Sequence, residues 1–129
     1  MAMTVEATQA SVAIVLEVRG RVDGETAERF EQECHNWIQS GPMRVILDLS
    51  KMEYISSAGL GSVLNTGKKL DQRGGELVIS GLSGQTERVF RFTGFDNLFK
   101  MFATAGEAMR YCETQTGDPD APSRFRSGI

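Results

Sequence analysis

The chain has 129 residues, the size of one ordinary domain, and its formal net charge is −3, from 14 Lys and Arg against 17 Asp and Glu. This mild acidity offers no basic surface for a nucleic acid partner. Apolar side chains make up 40% of the residues. That share is enough for a packed core and excludes disorder of the whole chain.

Export and membrane signals are missing from the sequence. No apolar run approaches the roughly 18 residues that span a bilayer. The opening MAMTVEATQA lacks the charged and apolar regions of a signal peptide. We therefore expect a cytoplasmic protein with no membrane partner. In such a protein Cys34 and Cys112 are expected to be free, partly buried thiols. With His35 as the single histidine, no set of zinc ligands emerges, and no metal or cofactor is expected.

Alternating apolar residues predict an opening β-hairpin. Its first strand covers Met3–Thr8 at the edge of the sheet, Gln9-Ala10 is a tight connection, and the second strand covers Ser11–Val18. On the second strand, one predicted core face carries Val12, Ile14, Leu16 and Val18.

A first helix is predicted after a break in the chain at Gly20–Thr26, where Asp23 is placed to cap it. Gly41-Pro42 is expected to end this helix. Apolar residues recur at helical spacing and predict its buried stripe: Ala27, Phe30, Cys34, Trp37 and Ile38.

A buried strand and a second helix form the middle of the predicted domain. The strand covers Arg44–Leu49, because a short continuous apolar run suits a central position in a sheet. A connection at Ser50–Glu53 follows, and Ser56-Ser57 opens the helix, which ends at Gly74-Gly75. Its predicted stripe consists of Leu60, Val63, Leu64, Gly67 and Leu70.

The last part of the chain alternates again between strands and helices. The predicted elements are a strand at Glu76–Leu82, a helix at Ser83–Phe92, a linker at Phe95–Phe99, a strand at Lys100–Ala103 and a helix at Ala105–Thr114. Expected core residues on the two helices are Val89, Phe90 and Phe92 on the first, and Ala108, Met109 and Cys112 on the second.

This order predicts a single α/β domain over residues 1–116. Its mixed, mostly parallel sheet starts with the β-hairpin, only the first strand is antiparallel, and about four helices cover it. Residues 117–129 contain two prolines and no periodicity, so we expect a disordered C-terminal tail.

The most informative stretch lies where the central strand meets the second helix. It delivers Ser56 and Ser57 to a helix start, where the first backbone N–H groups lack partners. A hydroxyl there can cap the helix, which is the commoner role, and the same donors could hold a phosphate. The small residues Ala58, Gly59 and Gly61 leave this corner open to another protein, and an alternative is that the two glycines simply allow close packing of the helix on the sheet. Each of the two glycines lowers the stability of the helix by about 1 kcal/mol relative to alanine. This cost favours the interpretation that another group must approach the backbone closely here.

The same stretch carries a family resemblance. Read from Leu47, L-D-L-S-x-M-x-Y-I-x-S-x-G-L resembles the signature of STAS domains, in particular of stand-alone anti-sigma factor antagonists. The resemblance covers about residues 3–113, including G-R-V-D at Gly20–Asp23 and T-G-F-D-N-L-F at Thr93–Phe99. It implies a small α/β domain whose regulated serine begins the second helix.

In that family the usual string is Asp-Ser-Ser/Thr-Gly-Leu, and the serine after the aspartate is phosphorylated. Alignment on Gly59-Leu60 places the implied phosphoacceptor on Ser57, with Ser56 as the runner-up. Ser56 then replaces the family's aspartate and Ala58 its second hydroxyl residue. Asp23 matches a family acidic residue near the partner surface, and its role as a helix cap is an equally weighted alternative. The expected partner-binding residues are Asp23, Ser56, Ser57, Ala58, Gly59 and Gly61.

The resemblance implies a binding module that is not an enzyme. Its partners would be an anti-sigma factor that is also a serine kinase, and a metal-dependent serine phosphatase that resets the switch. One alternative is a STAS scaffold or regulatory subunit of a secretion or sensing complex without direct sigma-factor control. A small serine hydrolase using Ser57 is disfavoured, because G-x-S-x-G is missing and His35 is the only candidate base.

Three further features have less specific interpretations. Arg88 and Arg91 lie three apart on a predicted helix and could meet a phosphate, although a solvated face is the favoured interpretation. His35 is expected to be an exposed polar residue. Trp37 is expected in the core because it falls on the apolar stripe.

Overall fold

The computed structural model describes residues 3–40 and 44–115, which form one five-stranded sheet in the order β1-β2-β3-β4-β5. The strands are β1 (Thr4–Gln9), β2 (Ile14–Val22), β3 (Arg44–Ile55), β4 (Glu76–Ser80) and β5 (Lys100–Phe102). The helices are α1 (Ala27–Ser40), α2 (Ser57–Gln72), α3 (Gly84–Phe92), α4 (Phe95–Leu98) and α5 (Ala105–Thr114).

The sheet confirms the predicted α/β class. β1 pairs antiparallel with β2, and β3, β4 and β5 are added in parallel. Parallel neighbours require crossover connections, and α1, α2, and α3 with α4 supply them. The predicted tail, residues 117–129, lies outside the described residues.

The sheet is covered on both faces. One face packs against α1 to α4, with Phe30, Val63, Phe90 and Phe95 among the buried residues. The other face packs against α5, with contacts among Ala13, Ile46, Val78, Ala108 and Cys112. Among the helices of the described residues, none combines the length and the apolar character that a membrane-spanning segment requires.

The central strands are longer than predicted. β2 continues through Gly20, whose φ is +89°, to Val22, and its register with β3 shifts on either side of that glycine. β3 in turn continues through the predicted connection Ser50–Glu53 to Ile55. The two strands extend each other by pairing, which no local pattern in either strand reveals.

The predicted opening hairpin is confirmed, but the connection between its strands is longer than predicted. Residues 10–13 join the two strands, and the N–H of Ala10 donates to the carbonyl of Ala13 at 2.9 Å. Val12 lies in this connection and is 37% exposed, so its placement on the core face was wrong.

The aromatic residues include three errors of prediction. Trp37 is 37% exposed, because the buried stripe of α1 continues from Cys34 to Ile38, four residues on, rather than through position 37. Phe92 is 93% exposed, whereas Phe90 on the same helix is fully buried. The predicted linker at Phe95–Phe99 contains the short helix α4, whose Phe95 packs edge-on against Phe90.

Candidate functional site

The candidate site is the corner where β3 ends and α2 begins. The backbone N–H of Ser56 donates to the carbonyl of Val22 at 2.9 Å, which ties this corner to the end of β2. Ser56 has extended backbone and is the N-cap of α2, and its Oγ accepts the N–H of Gly59 at 3.2 Å. The predicted capping role therefore belongs to Ser56.

Ser57 is the first residue of α2 and is exposed, as is Ala58 beside it. A group attached to the Ser57 hydroxyl would lie beside the positive end of the helix dipole. The structure thus gives the two serines different surroundings. Ser56 is half-buried with its hydroxyl used in the cap, and Ser57 lies at the surface.

The two glycines of this turn have different roles. A Cβ on Gly59 would lie 2.7 Å from Cγ1 of Ile55 and 2.8 Å from the carbonyl oxygen of Val22. No residue with a side chain fits there without displacing the ends of β2 and β3. A Cβ on Gly61 would meet nothing within 4 Å. Gly59 therefore serves close packing of α2 on the sheet, which was the alternative interpretation of the two glycines, and nothing within the fold requires a glycine at position 61.

Asp23 stabilises the turn before α1. Its Oδ1 accepts the N–H of Glu25 at 3.0 Å, and its carbonyl accepts the N–H of Ala27 at 2.8 Å. Its own N–H donates to Oγ1 of Thr26 at 2.9 Å. The helix itself begins at Ala27, so Asp23 caps the turn that leads into it. Its side chain keeps 31% exposure, which leaves a role at a partner surface open.

Arg21 and Tyr54 extend this corner, and neither was predicted as a site residue. They pair across β2 and β3, and the Arg21 guanidinium carbon lies 4.3 Å from the centroid of the Tyr54 ring. Nε of Arg21 also lies 3.8 Å from Oδ2 of Asp23. Arg21 lies beyond Val18, where β2 was predicted to end, and Tyr54 lies beyond Leu49, where β3 was predicted to end. Both stand within the quoted motifs, but only the extended strand pairing shows that they contact each other.

The geometry argues against nucleophilic catalysis by Ser57. His35 contacts Lys69, with 3.4 Å between Nδ1 and Nζ, and Lys69 lies twelve residues along α2 from Ser57. At 1.5 Å per residue this is about 18 Å, far beyond the reach of a general base. His35 is also largely buried, with 12% side-chain exposure, so its prediction as an exposed residue was wrong.

The two cysteines are also poorly suited to nucleophilic catalysis. Cys34 and Cys112 are both buried. Burial, reinforced by the nearby Glu33 and Glu31, raises the pKa of the Cys34 thiol to about 12. Burial likewise raises the pKa of Cys112. Thiols with raised pKa values are poor nucleophiles. Among the described residues no group of three His, Cys, Asp or Glu side chains could hold a metal ion.

A second surface feature lies on α3. A shallow groove of about 710 Å³ is lined by Gln85, Arg88, Val89, Arg91, Phe92 and Thr93. Nη2 of Arg91 lies 3.0 Å from Oε2 of Glu87, and its Nη1 lies 3.6 Å from Oδ2 of Asp96. Arg88 lies 3.5 Å from the amide oxygen of Gln85. The two arginines thus have partners on a solvated face, which was the favoured interpretation.

Comparison with known sequences places these features in a family. The STAS domain profile matches residues 4–108. BtrV of Bordetella bronchiseptica, named as an anti-sigma factor antagonist, is 42% identical over 82 residues. The match covers 64% of this chain and 71% of BtrV.

Solved structures show the same fold. An anti-sigma factor antagonist from Mycobacterium paratuberculosis superposes with a TM-score of 0.80 at 25% identity, covering 87% of this chain and 95% of the other. The Bacillus cell fate determinant SpoIIAA, in its phosphorylated form, superposes with a TM-score of 0.66 at 23% identity, covering 85% and 98%.

Proposed function

The chain belongs to the STAS domain family of anti-sigma factor antagonists, and we propose that it is itself such an antagonist, switched by phosphorylation of Ser57. Unmodified, it binds an anti-sigma factor and frees a sigma factor. Phosphorylated, it releases that partner. The protein supplies the substrate serine and the binding surface, and the anti-sigma factor supplies the kinase activity.

The observation that carries this proposal is the difference between Ser56 and Ser57. Ser57 is exposed at the first position of α2, where a kinase can reach its hydroxyl. The Ser56 hydroxyl already accepts a hydrogen bond from the N–H of Gly59 and is half-buried. The exposed Ala58 adds no bulk next to the acceptor. Of the two serines, Ser57 is therefore the one whose hydroxyl is accessible.

The switch acts at the interface rather than on the fold. A phosphoserine adds a charge of about −1.5 to −2 and three strong acceptor oxygens. At the N-terminus of α2 that charge faces the positive end of the helix dipole, so the domain keeps its fold. Release of the partner then follows from the bulk and the desolvation cost of the phosphate at a surface that had been buried. A serine phosphatase reverses the modification.

Phosphopeptide mapping tests the site directly. The protein is incubated with the candidate anti-sigma factor kinase and Mg²⁺–ATP, together with the Ser57→Ala and Ser56→Ala variants. We expect phosphate on Ser57 in the native protein and in Ser56→Ala, and none in Ser57→Ala. Ser56→Ala serves as the matched control, because it loses about 1 kcal/mol of helix capping without removing the acceptor.

Partner affinity tests the switch. Ser57→Ala is expected to bind the anti-sigma factor kinase as tightly as the native protein does. Ser57→Asp is expected to bind it about tenfold more weakly, which corresponds to about 1.4 kcal/mol. The effect is partial because aspartate carries less charge and fewer acceptors than phosphate. If no cognate kinase modifies either serine and Ser57→Asp binds normally, the phosphorylation switch is wrong and a STAS scaffold role replaces it. Phosphate found on Ser56 would show that the assigned acceptor is wrong by one residue.

A further inference from the structure

We propose that Arg21 is the counter-cation of phosphorylated Ser57: its guanidinium leaves Tyr54 and Asp23 and pairs with the phosphate. This proposal rests on the proposed function, since it concerns the modified form of the same site. It makes the switch a rearrangement of three neighbouring side chains rather than the addition of one group.

Arg21 is the cation available in this corner. The segments that form it, residues 21–26 and 54–61, contain no other Lys or Arg. The side chain of Arg21 is 48% exposed and is held by two weak contacts. One is the stacking over Tyr54 at 4.3 Å, and the other is the 3.8 Å approach of its Nε to Oδ2 of Asp23. Neither contact buries the guanidinium.

A backbone hydrogen bond joins the end of β2, which carries Arg21, to the start of the helix that carries Ser57. The hydrogen bond of 2.9 Å between the N–H of Ser56 and the carbonyl of Val22 joins the residue before Ser57 to the residue after Arg21. The absent side chain of Gly59 lets the first turn of α2 lie directly against Val22. Arg21 alternates with the buried Val22 along β2, so its side chain starts from the other face of the strand. In the proposed pairing its long, flexible stem bends around the end of β2 toward the start of α2.

A phosphate is a better partner for Arg21 than the two it has. The Asp23 carboxylate carries one charge and already accepts a hydrogen bond from the N–H of Glu25 at 3.0 Å. A phosphoserine carries up to two charges and three acceptor oxygens, which match the planar fork of the guanidinium. Ser56, in the position where the family usually has an aspartate, adds no competing negative charge.

The movement of Arg21 changes the surface that a partner meets. When the guanidinium leaves, the Tyr54 ring, already 41% exposed, loses its cover, and the Asp23 carboxylate loses its cation. The phosphorylated surface then presents an uncompensated carboxylate in addition to the phosphate.

The phosphate itself reports the pairing. Phosphoserine is incorporated genetically at position 57 of the full chain, and the second pKa of the phosphate is measured by a ³¹P NMR pH titration. A nearby cation stabilises the dianion and lowers this pKa. We expect it to be about half a unit lower in the native background than in Arg21→Gln. Arg21→Lys should lie between the two, and high salt should reduce the difference.

Arg19→Gln is the matched control. Arg19 lies two residues earlier on β2, is 44% exposed, and pairs with Glu17 at 2.8 Å. Its replacement removes the same charge from the protein and should leave the phosphate pKa unchanged. The proposal is overturned if Arg21→Gln titrates like the native background, or if Arg19→Gln shifts the pKa as much as Arg21→Gln does.

Because the phosphoserine is introduced without a kinase, the two proposals fail in different ways. If no kinase modifies Ser57, the mapping experiment is negative while the titration still shows the Arg21 shift. If Arg21 does not pair with the phosphate, the shift is missing although the kinase modifies Ser57.

Discussion

At the scale of single residues, the corner depends on a glycine that serves packing. Gly59 lies where α2 meets the ends of β2 and β3, and a Cβ there would also lie 2.9 Å from Cγ1 of Val22. Gly61, two residues later on the same helix, would place its Cβ in open space. Alanine substitutions at these two positions therefore separate the effect of steric conflict from the effect of helix propensity on stability.

Gly59→Ala is therefore expected to lower the free energy of unfolding by about 1–3 kcal/mol, since a backbone oxygen and two side chains must shift to admit the methyl group. Gly61→Ala is the control and should raise it by up to about 1 kcal/mol, because alanine favours the helix. Urea denaturation of both variants measures the difference. Equal effects of the two substitutions would contradict the close approach of α2 to Val22.

At the scale of elements, α3 carries two phenylalanines with opposite surroundings. Phe90 is fully buried and packs edge-on against Phe95 at a centroid distance of 5.4 Å. Phe92 is 93% exposed and lines the groove on this helix. Two residues along a helix correspond to a rotation of about 200°, which places the two rings on opposite sides.

Phe90→Ala is expected to lower the free energy of unfolding by about 3–5 kcal/mol through the lost burial and the cavity it leaves. Phe92→Ala should change it by no more than about 0.5 kcal/mol, as substitutions at exposed sites do. Chemical denaturation followed by the fluorescence of Trp37 compares them. A large loss in the Phe92 variant would mean that this ring is packed in solution.

At the scale of the whole molecule, one histidine links the stability of the domain to pH. His35 lies on α1, where Nζ of Lys69 on α2 is 3.4 Å from its Nδ1 and Oε2 of Glu31 is 3.7 Å from its Nε2. Burial, followed by the charge of Lys69, lowers the pKa of His35 below its usual 6.5, although Glu31 opposes this. The folded protein therefore favours the neutral ring.

Because the folded pKa is lowered, the unfolded chain binds more protons near pH 6, and stability falls as the pH decreases through 6.5. Relative to His35→Gln, the native protein is expected to lose stability between pH 7.5 and the lowered folded pKa, and to lose no more below it. Urea denaturation across this range tests the slope. Since His35 is the only histidine, parallel pH profiles of the two proteins would contradict the lowered pKa.

The extent of the domain leads to a further prediction for the whole chain. Deleting residues 117–129 should leave the midpoint of thermal unfolding nearly unchanged, because this segment has no apolar stripe and contains two prolines. Calorimetry of the full and shortened chains measures this. A decrease of more than a few degrees would show that these residues dock on the domain.

Much of the fold follows from patterns that are local in the sequence. Apolar spacing determines the order of strands and helices, and the exact bounds of α5, Ala105–Thr114, agree with the prediction. Cap chemistry acts over three residues, so the start of α2 at Ser56-Ser57 could be derived without any tertiary information. The family resemblance at Leu47–Leu60 rests on the same continuous stretch.

Features that depend on residues far apart in the chain follow from the folded structure and not from local sequence patterns. Register between β2 and β3 carries the strands to Val22 and Ile55 and brings Arg21 onto Tyr54. The orientation of each helix on the sheet decides that Ile38 rather than Trp37 is buried, and that Gly59 rather than Gly61 needs to be glycine. The apolar stripe of a helix is wide enough to include either residue of such a pair, and the contacts with other elements determine which of the two is buried.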